Sequence, residues 1–184
     1  MSTPSATTIT PPVKRPPDVG VVRATPHQAL NLLAGQLYFG HEAARVKTLL
    51  GSCVGITLWH PQRRLGGMCH FLLPERARTP AVERDGRFGE EAMHMLVDFL
   101  ARKGTQPQDY EAHLYGGADT MPDNAGIKFN VGERNIERAW QLIDQYGFSL
   151  QGVDVGDNVP RTVELTLASG EVSVRRGEPP RKTS

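Results

Sequence analysis

Cys53 lies in the segment Thr48-Leu49-Leu50-Gly51-Ser52-Cys53-Val54-Gly55, between small residues at the junction of two apolar runs. Small neighbours leave room for a carbonyl carbon to approach the sulfur, and they leave backbone N–H groups free to face a developing oxyanion. A free thiol, with a pKa near about 8.5, is only a few per cent thiolate at neutral pH and needs help to attack. His70, in Gly66-Gly67-Met68-Cys69-His70, is the candidate helper. A neighbouring imidazolium would lower the thiol pKa, and the same ring could later protonate a leaving amine. A third group must fix the ring's tautomer, and Thr48 or a backbone carbonyl is at hand.

The surrounding pattern could bring these residues together. Val54, Ile56 and Leu58 alternate with Gly55, Thr57 and Trp59, which predicts a strand with one buried face. The mostly apolar run from Leu65 to Leu73 reads as a strand buried on both faces, with Gly66-Gly67 marking a close approach and Pro74 its end. Paired antiparallel across a four-residue turn at 60–63, these strands set Trp59 opposite Arg64 and Cys53 opposite His70. Opposed residues share a face with Cβ atoms about 4.5–5.5 Å apart. A register slip of one would put the pair on opposite faces. Gly116-Gly117, leaving another strand, could wall the cleft with Gly51 and Ser52, or could form a tight turn.

Blander readings stand beside these. A buried cysteine is a common core residue, and a strand histidine is often simply hydrogen-bonded. Cys69 alternates away from His70 and reads as core packing. A metal site built from Cys53, Cys69, His70 and His60 lacks the paired spacings of zinc sites, so no metal or other cofactor is expected. His27, His41, His94 and His113 have no partner suggested by spacing. Asp154, Asp157 and Asn158 are better read as a turn than as a fragment of a calcium loop.

Composition suggests one folded unit. Residues 1–25, rich in Ser, Thr and Pro, and 177–184 read as disordered tails around a single domain at 26–176. Further strands are expected at 36–39, 46–50, 112–115, 148–155, 162–167 and 171–175, the last two sharing a Ser169-Gly170 turn. One helix follows Gly89, with apolar positions Ala92, Met93, Leu96, Val97 and Leu100. A second carries Ile136, Ala139, Trp140 and Ile143, with Glu133 near its start and Gly147 past its end. About eight strands, many adjacent in sequence, point to an α+β fold of mixed sheets with helices on one face.

Charge selects no partner. Lys and Arg total 21 against 20 Asp and Glu, so no strong field favours nucleic acid or an anionic membrane. No apolar run approaches the roughly 18 residues of a spanning helix, and no export signal is evident. A cytoplasmic protein with reduced thiols is expected.

Five segments in this order resemble the CheD family of chemoreceptor glutamine deamidases: Thr48 to Val54, Gly66 to Pro74, Tyr115-Gly116-Gly117-Ala118, Val131-Gly132-Glu133-Arg134-Asn135 and Asp154-Val155-Gly156. The resemblance implies an α/β/β layered cysteine hydrolase, similar to deamidating toxin domains, with catalytic positions at Cys53, His70 and Thr48. It implies a chemotaxis receptor's glutamines as substrate and, in some members, glutamyl methyl ester hydrolysis and a CheC-type phosphatase partner. The rival is a non-catalytic regulator that binds receptor or phosphatase.

Overall fold

The structure is a computed structural model that describes residues 19–77, 83–120 and 130–179. Ten strands and two long helices follow in the order β1 (Gly20–Val21), β2 (Ala29–Leu32), β3 (Gln36–Gly40), β4 (Arg45–Leu50), β5 (Val54–His60), β6 (Leu65–Phe71), α1 (Gly89–Arg102), β7 (Glu111–Gly116), α2 (Val131–Tyr146), β8 (Ser149–Val155), β9 (Arg161–Thr166) and β10 (Val172–Arg176). Six strands form one sheet in the order β1-β3-β6-β5-β7-β8, and four form a second in the order β10-β9-β4-β2. Both sheets are mixed. β7 and β8 run parallel and are joined through α2, the long connection that parallel neighbours require.

Two apolar layers hold the three tiers together. On one face of the six-stranded sheet, Val54, Ile56 and Leu58 of β5 and Cys69 and Phe71 of β6 pack against Met93, Leu96 and Leu100 of α1 and Ala139, Leu142 and Ile143 of α2. On its other face, Met68 and Tyr115 meet Val46 and Leu50 of β4 and Val163 and Leu165 of β9. Helices on one face and a sheet on the other give the expected α/β/β sandwich.

Several expectations shift in detail. β5 is buried on both faces, because Gly55 and Thr57 lie under the second sheet rather than in solvent. β1 falls inside the 1–25 stretch read as a tail and pairs parallel with Gln36 and Leu37 of β3; 1–18 and 180–184 lie outside the described residues. The buried stripe of α2 is Gly132, Asn135, Ala139, Leu142 and Ile143, so Trp140, expected inside, is 43% exposed. α2 begins where the Asn130 side chain accepts a hydrogen bond from Glu133 N–H at 3.0 Å and ends at Gly147 in the left-handed region.

Candidate active site

The β5–β6 hairpin turns at 61–64, one residue later than spacing suggested, and Arg64 N–H closes it on the His60 carbonyl at 2.8 Å. His70 therefore pairs with Gly55 rather than with Cys53. Moving a four-residue turn by one position changes each partnership by two residues, so faces are preserved. Cys53 and His70 become diagonal neighbours, a relation that spans about 7–8 Å between backbones and less between side chains. Both address the layer between the sheets: Cys53 packs against the inter-sheet cluster, and His70 bonds across it to β4. Directly opposite the imidazole, Gly55 brings no side chain.

Thr48 reaches from the second sheet to the first. Its Oγ1 donates to the Leu32 carbonyl at 2.8 Å and lies 2.7 Å from His70 Nδ1. A hydroxyl has one hydrogen, and a carbonyl can only accept, so Nδ1 must carry the proton given to Thr48. Nε2 is then the bare nitrogen. It is buried and has no hydrogen-bond partner among the described residues.

Burial sets the charge states. It pushes the His70 imidazole down to about 4 and the Cys53 thiol up from its ordinary value, the latter partly offset by Cys53's own N–H. The resting site is thus a neutral thiol beside a neutral imidazole, not the ion pair that proximity alone suggested. Unfolded His70 would take a proton near its ordinary value, and the folded residue only near 4, so the unfolded state binds more protons between those values. Stability should fall by about 3 kcal/mol as pH drops from about 6.5 to 4. Urea unfolding across that range should show this slope in the wild type and lose it in His70→Gln.

The bend 51–53 is held by its carbonyls. Gly51 O accepts from Ala118 N–H at 3.0 Å, Cys53 O from Gly117 N–H at 2.8 Å, and Ser52 O from Asn135 Nδ2 at 3.2 Å. Ser52 N–H finds no backbone acceptor among the described residues, and Cys53 N–H faces its own sulfur. Gly116, at φ 99°, passes so close that a Cβ there would lie 2.3 Å from Cys53 O, which explains the glycine. Gly51, Ser52, Gly116 and Gly117 therefore gather at Cys53. Gly156 N–H bonds Gly116 O at 2.9 Å, tying the Asp154-Val155-Gly156 segment to the same loop.

Two residues here had no role assigned from the sequence. Arg161 is fully buried at the end of β9 and bonds Asp154 at 3.1 Å, and Arg176 bonds the same carboxylate. These partners hold Asp154 below the usual carboxylate range, Arg176 contributing most. Asn135 is the other. Cys69 faces the helices, and burial pushes its thiol up to about 12. Among the described residues no group of three or more His, Cys, Asp or Glu side chains could hold a metal, and no helix is long and apolar enough to cross a membrane.

Fold and site define a class: an α/β/β layered protein with a half-buried thiol and a hydroxyl-braced imidazole at one end of its inter-sheet layer. The chain belongs to the CheD family, since residues 72–176 match the family model described as CheD chemotactic sensory transduction. It is 42% identical over 138 residues to the probable chemoreceptor glutamine deamidase CheD 3 of Dechloromonas aromatica, covering 75% of this chain and 81% of that one. A relative from Chromobacterium violaceum, named probable chemoreceptor glutamine deamidase CheD 1, is 40% identical over 82% of this chain and 79% of its own. The solved structure of YlmD from Geobacillus stearothermophilus superimposes with a TM-score of 0.43 at 13% identity, covering 66% of this chain and 50% of that one, too loose a likeness to bear on function.

Proposed function

We propose that this protein deamidates glutamine side chains of chemotaxis receptors, with Cys53 as nucleophile, His70 as base and Thr48 as the group that orients the base. The observation that carries the mechanism is the Leu32–Thr48–His70 chain of hydrogen bonds, which leaves Nε2 unprotonated in the layer that Cys53 enters. Family membership, and relatives named as chemoreceptor glutamine deamidases, support the substrate.

Because the resting pair is neutral, proton transfer accompanies attack. The sulfur bonds to the carboxamide carbon as its proton passes to Nε2, and the Ser52 and Cys53 N–H groups, with the walls at Gly51, Gly116 and Gly117, receive the oxyanion. The C–N bond breaks as the imidazolium returns the proton to nitrogen, releasing ammonia and leaving a thioester. Water then gives a proton to His70 and adds to the thioester, and the C–S bond breaks as the imidazolium passes that proton to sulfur, yielding glutamate and the resting thiol. Nothing else is consumed. A glutamyl methyl ester offers the same carbonyl and would follow the same path, releasing methanol.

With a receptor's helical bundle as substrate the reaction would run in the cytoplasm, and a CheC-type phosphatase is the regulator to test by co-purification. Incubating a receptor signalling fragment with the enzyme should release ammonia and convert selected glutamines to glutamates, read by mass spectrometry. Thr48→Val keeps the shape but removes the acceptor for Nδ1–H, and it should lower kcat about 10²-fold with KM nearly unchanged, within the range a positioned base supplies. Steady-state ammonia release checks this; unchanged kcat would remove Thr48 from the mechanism.

A further inference from the structure

We infer that Asn135, on α2, is a positioning residue that sets the spacing of Cys53 and His70; the inference rests on the function proposed above. Asn135 is fully buried, and its Nδ2 donates to Ser52 O at 3.2 Å and Leu72 O at 2.8 Å. Both acceptors are carbonyls, so the amide can face only one way and both of its hydrogens are used. Ser52 precedes the nucleophile, and Leu72 stands two residues beyond the base. The β5–β6 ladder ends at Val54 and Phe71. Beyond it the strands part, and Leu72 N–H turns to the Arg87 carbonyl at 2.8 Å. One side chain from a third element thus spans the gap where the ladder stops, which is where Cys53 sits.

Two further observations set Asn135 apart from ordinary packing. Its Oδ1 is buried with no partner among the described residues, a cost that an apolar residue on the same stripe would avoid. The first turn of α2 is also pressed against the site: a Cβ on Gly132 would lie 2.5 Å from Gly117 O. The helix approaches close enough for a short amide to reach both carbonyls.

The test uses the full chain as wild type, Asn135→Ala, Asn135→Asp, which keeps the volume but loses the donors, and Leu142→Val, which perturbs the same buried stripe without touching the site. Two readouts are taken: kcat and KM for receptor deamidation, and the pH dependence of iodoacetamide alkylation at Cys53. Both Asn135 variants should lose about 10- to 100-fold in kcat, the scale of a small misplacement of reacting groups, with KM within about twofold. Their alkylation profiles should move toward that of His70→Gln, while Leu142→Val keeps wild-type kcat and profile. Should Asn135→Ala not fold, Asn135→Asp decides. Wild-type kcat and alkylation profile in Asn135→Asp, or equal losses in Leu142→Val, would overturn the inference. If Cys53→Ala still deamidates, the proposed function fails instead, and the alkylation profiles alone then decide whether Asn135 couples His70 to the thiol.

Discussion

Replacing Cys53 with alanine is expected to cut ammonia release from a receptor fragment by at least about 10³-fold, because losing the nucleophile removes the covalent route and leaves only binding and oxyanion stabilisation. The fold should survive. Cys53 is only partly buried, stands outside any strand, and is held through its backbone carbonyl rather than its sulfur. Cys69→Ala supplies the contrast. Its sulfur fills the layer between β6 and the helices, so its loss should lower the urea midpoint and leave kcat untouched. Neutral thiol reagents should likewise label Cys53 and spare Cys69. A non-catalytic regulator would instead keep its effect on receptors in Cys53→Ala, and a variant that released ammonia at the wild-type rate would take Cys53 out of the chemistry.

The strands were legible wherever a period-2 or continuous apolar pattern ran for five residues or more, as in β5 and β6. β2 is only Ala29–Leu32, and its contribution is tertiary: it pairs with β4 and offers the Leu32 carbonyl to Thr48. Its alternation of Leu30 and Leu32 with Ala29 and Asn31 is too short to announce a strand. The turn register failed for a similar reason, since Arg64 adopts φ 49°, a conformation for which glycine or asparagine would have been the sequence signal. Cys53 and His70 no longer stand directly opposite each other, but they keep a shared face because a two-residue shift preserves faces.

Helix α2 shows the limit from the other side. An apolar stripe through Ile136, Ala139, Trp140 and Ile143 is a sound helical signal, yet the buried stripe is turned by about one residue to include Asn135. Polar residues are assigned outward by default, and what overrides the default here is a pair of carbonyls on distant segments. Arg161 is the same case, buried because Asp154 and the Val159 carbonyl await it. Thr48 was legible as a candidate, but its partner His70 lies across the sandwich, and only the packing of the two sheets makes the contact. Motif order identified the family where spacing left alternatives open, because five ordered segments are far more specific than any one spacing.

His70→Gln should lower kcat about 10²- to 10⁴-fold, the range a positioned general base supplies. The pH dependence is the more discriminating result. In the wild type the imidazole is neutral above about 4 and the thiol is raised above its ordinary value, so activity should be level from about pH 5 to 8, with an acid limb near 4 rather than near the ordinary histidine value. In His70→Gln no base remains, and the residual rate should climb with pH as the thiol ionises unaided. Iodoacetamide alkylation of Cys53 tests the resting state directly. A neutral pair predicts slow alkylation at pH 6 in both proteins, with the wild type faster up to about pH 8 because Nε2 takes the thiol proton as sulfur attacks, and His70→Gln catching up only above that as the thiol ionises; a resting thiolate–imidazolium pair predicts fast alkylation at pH 6 that His70→Gln abolishes. The second outcome would mean that solvent or substrate reaches the thiol well enough to reverse the burial penalty, and it would move proton transfer ahead of attack in the mechanism.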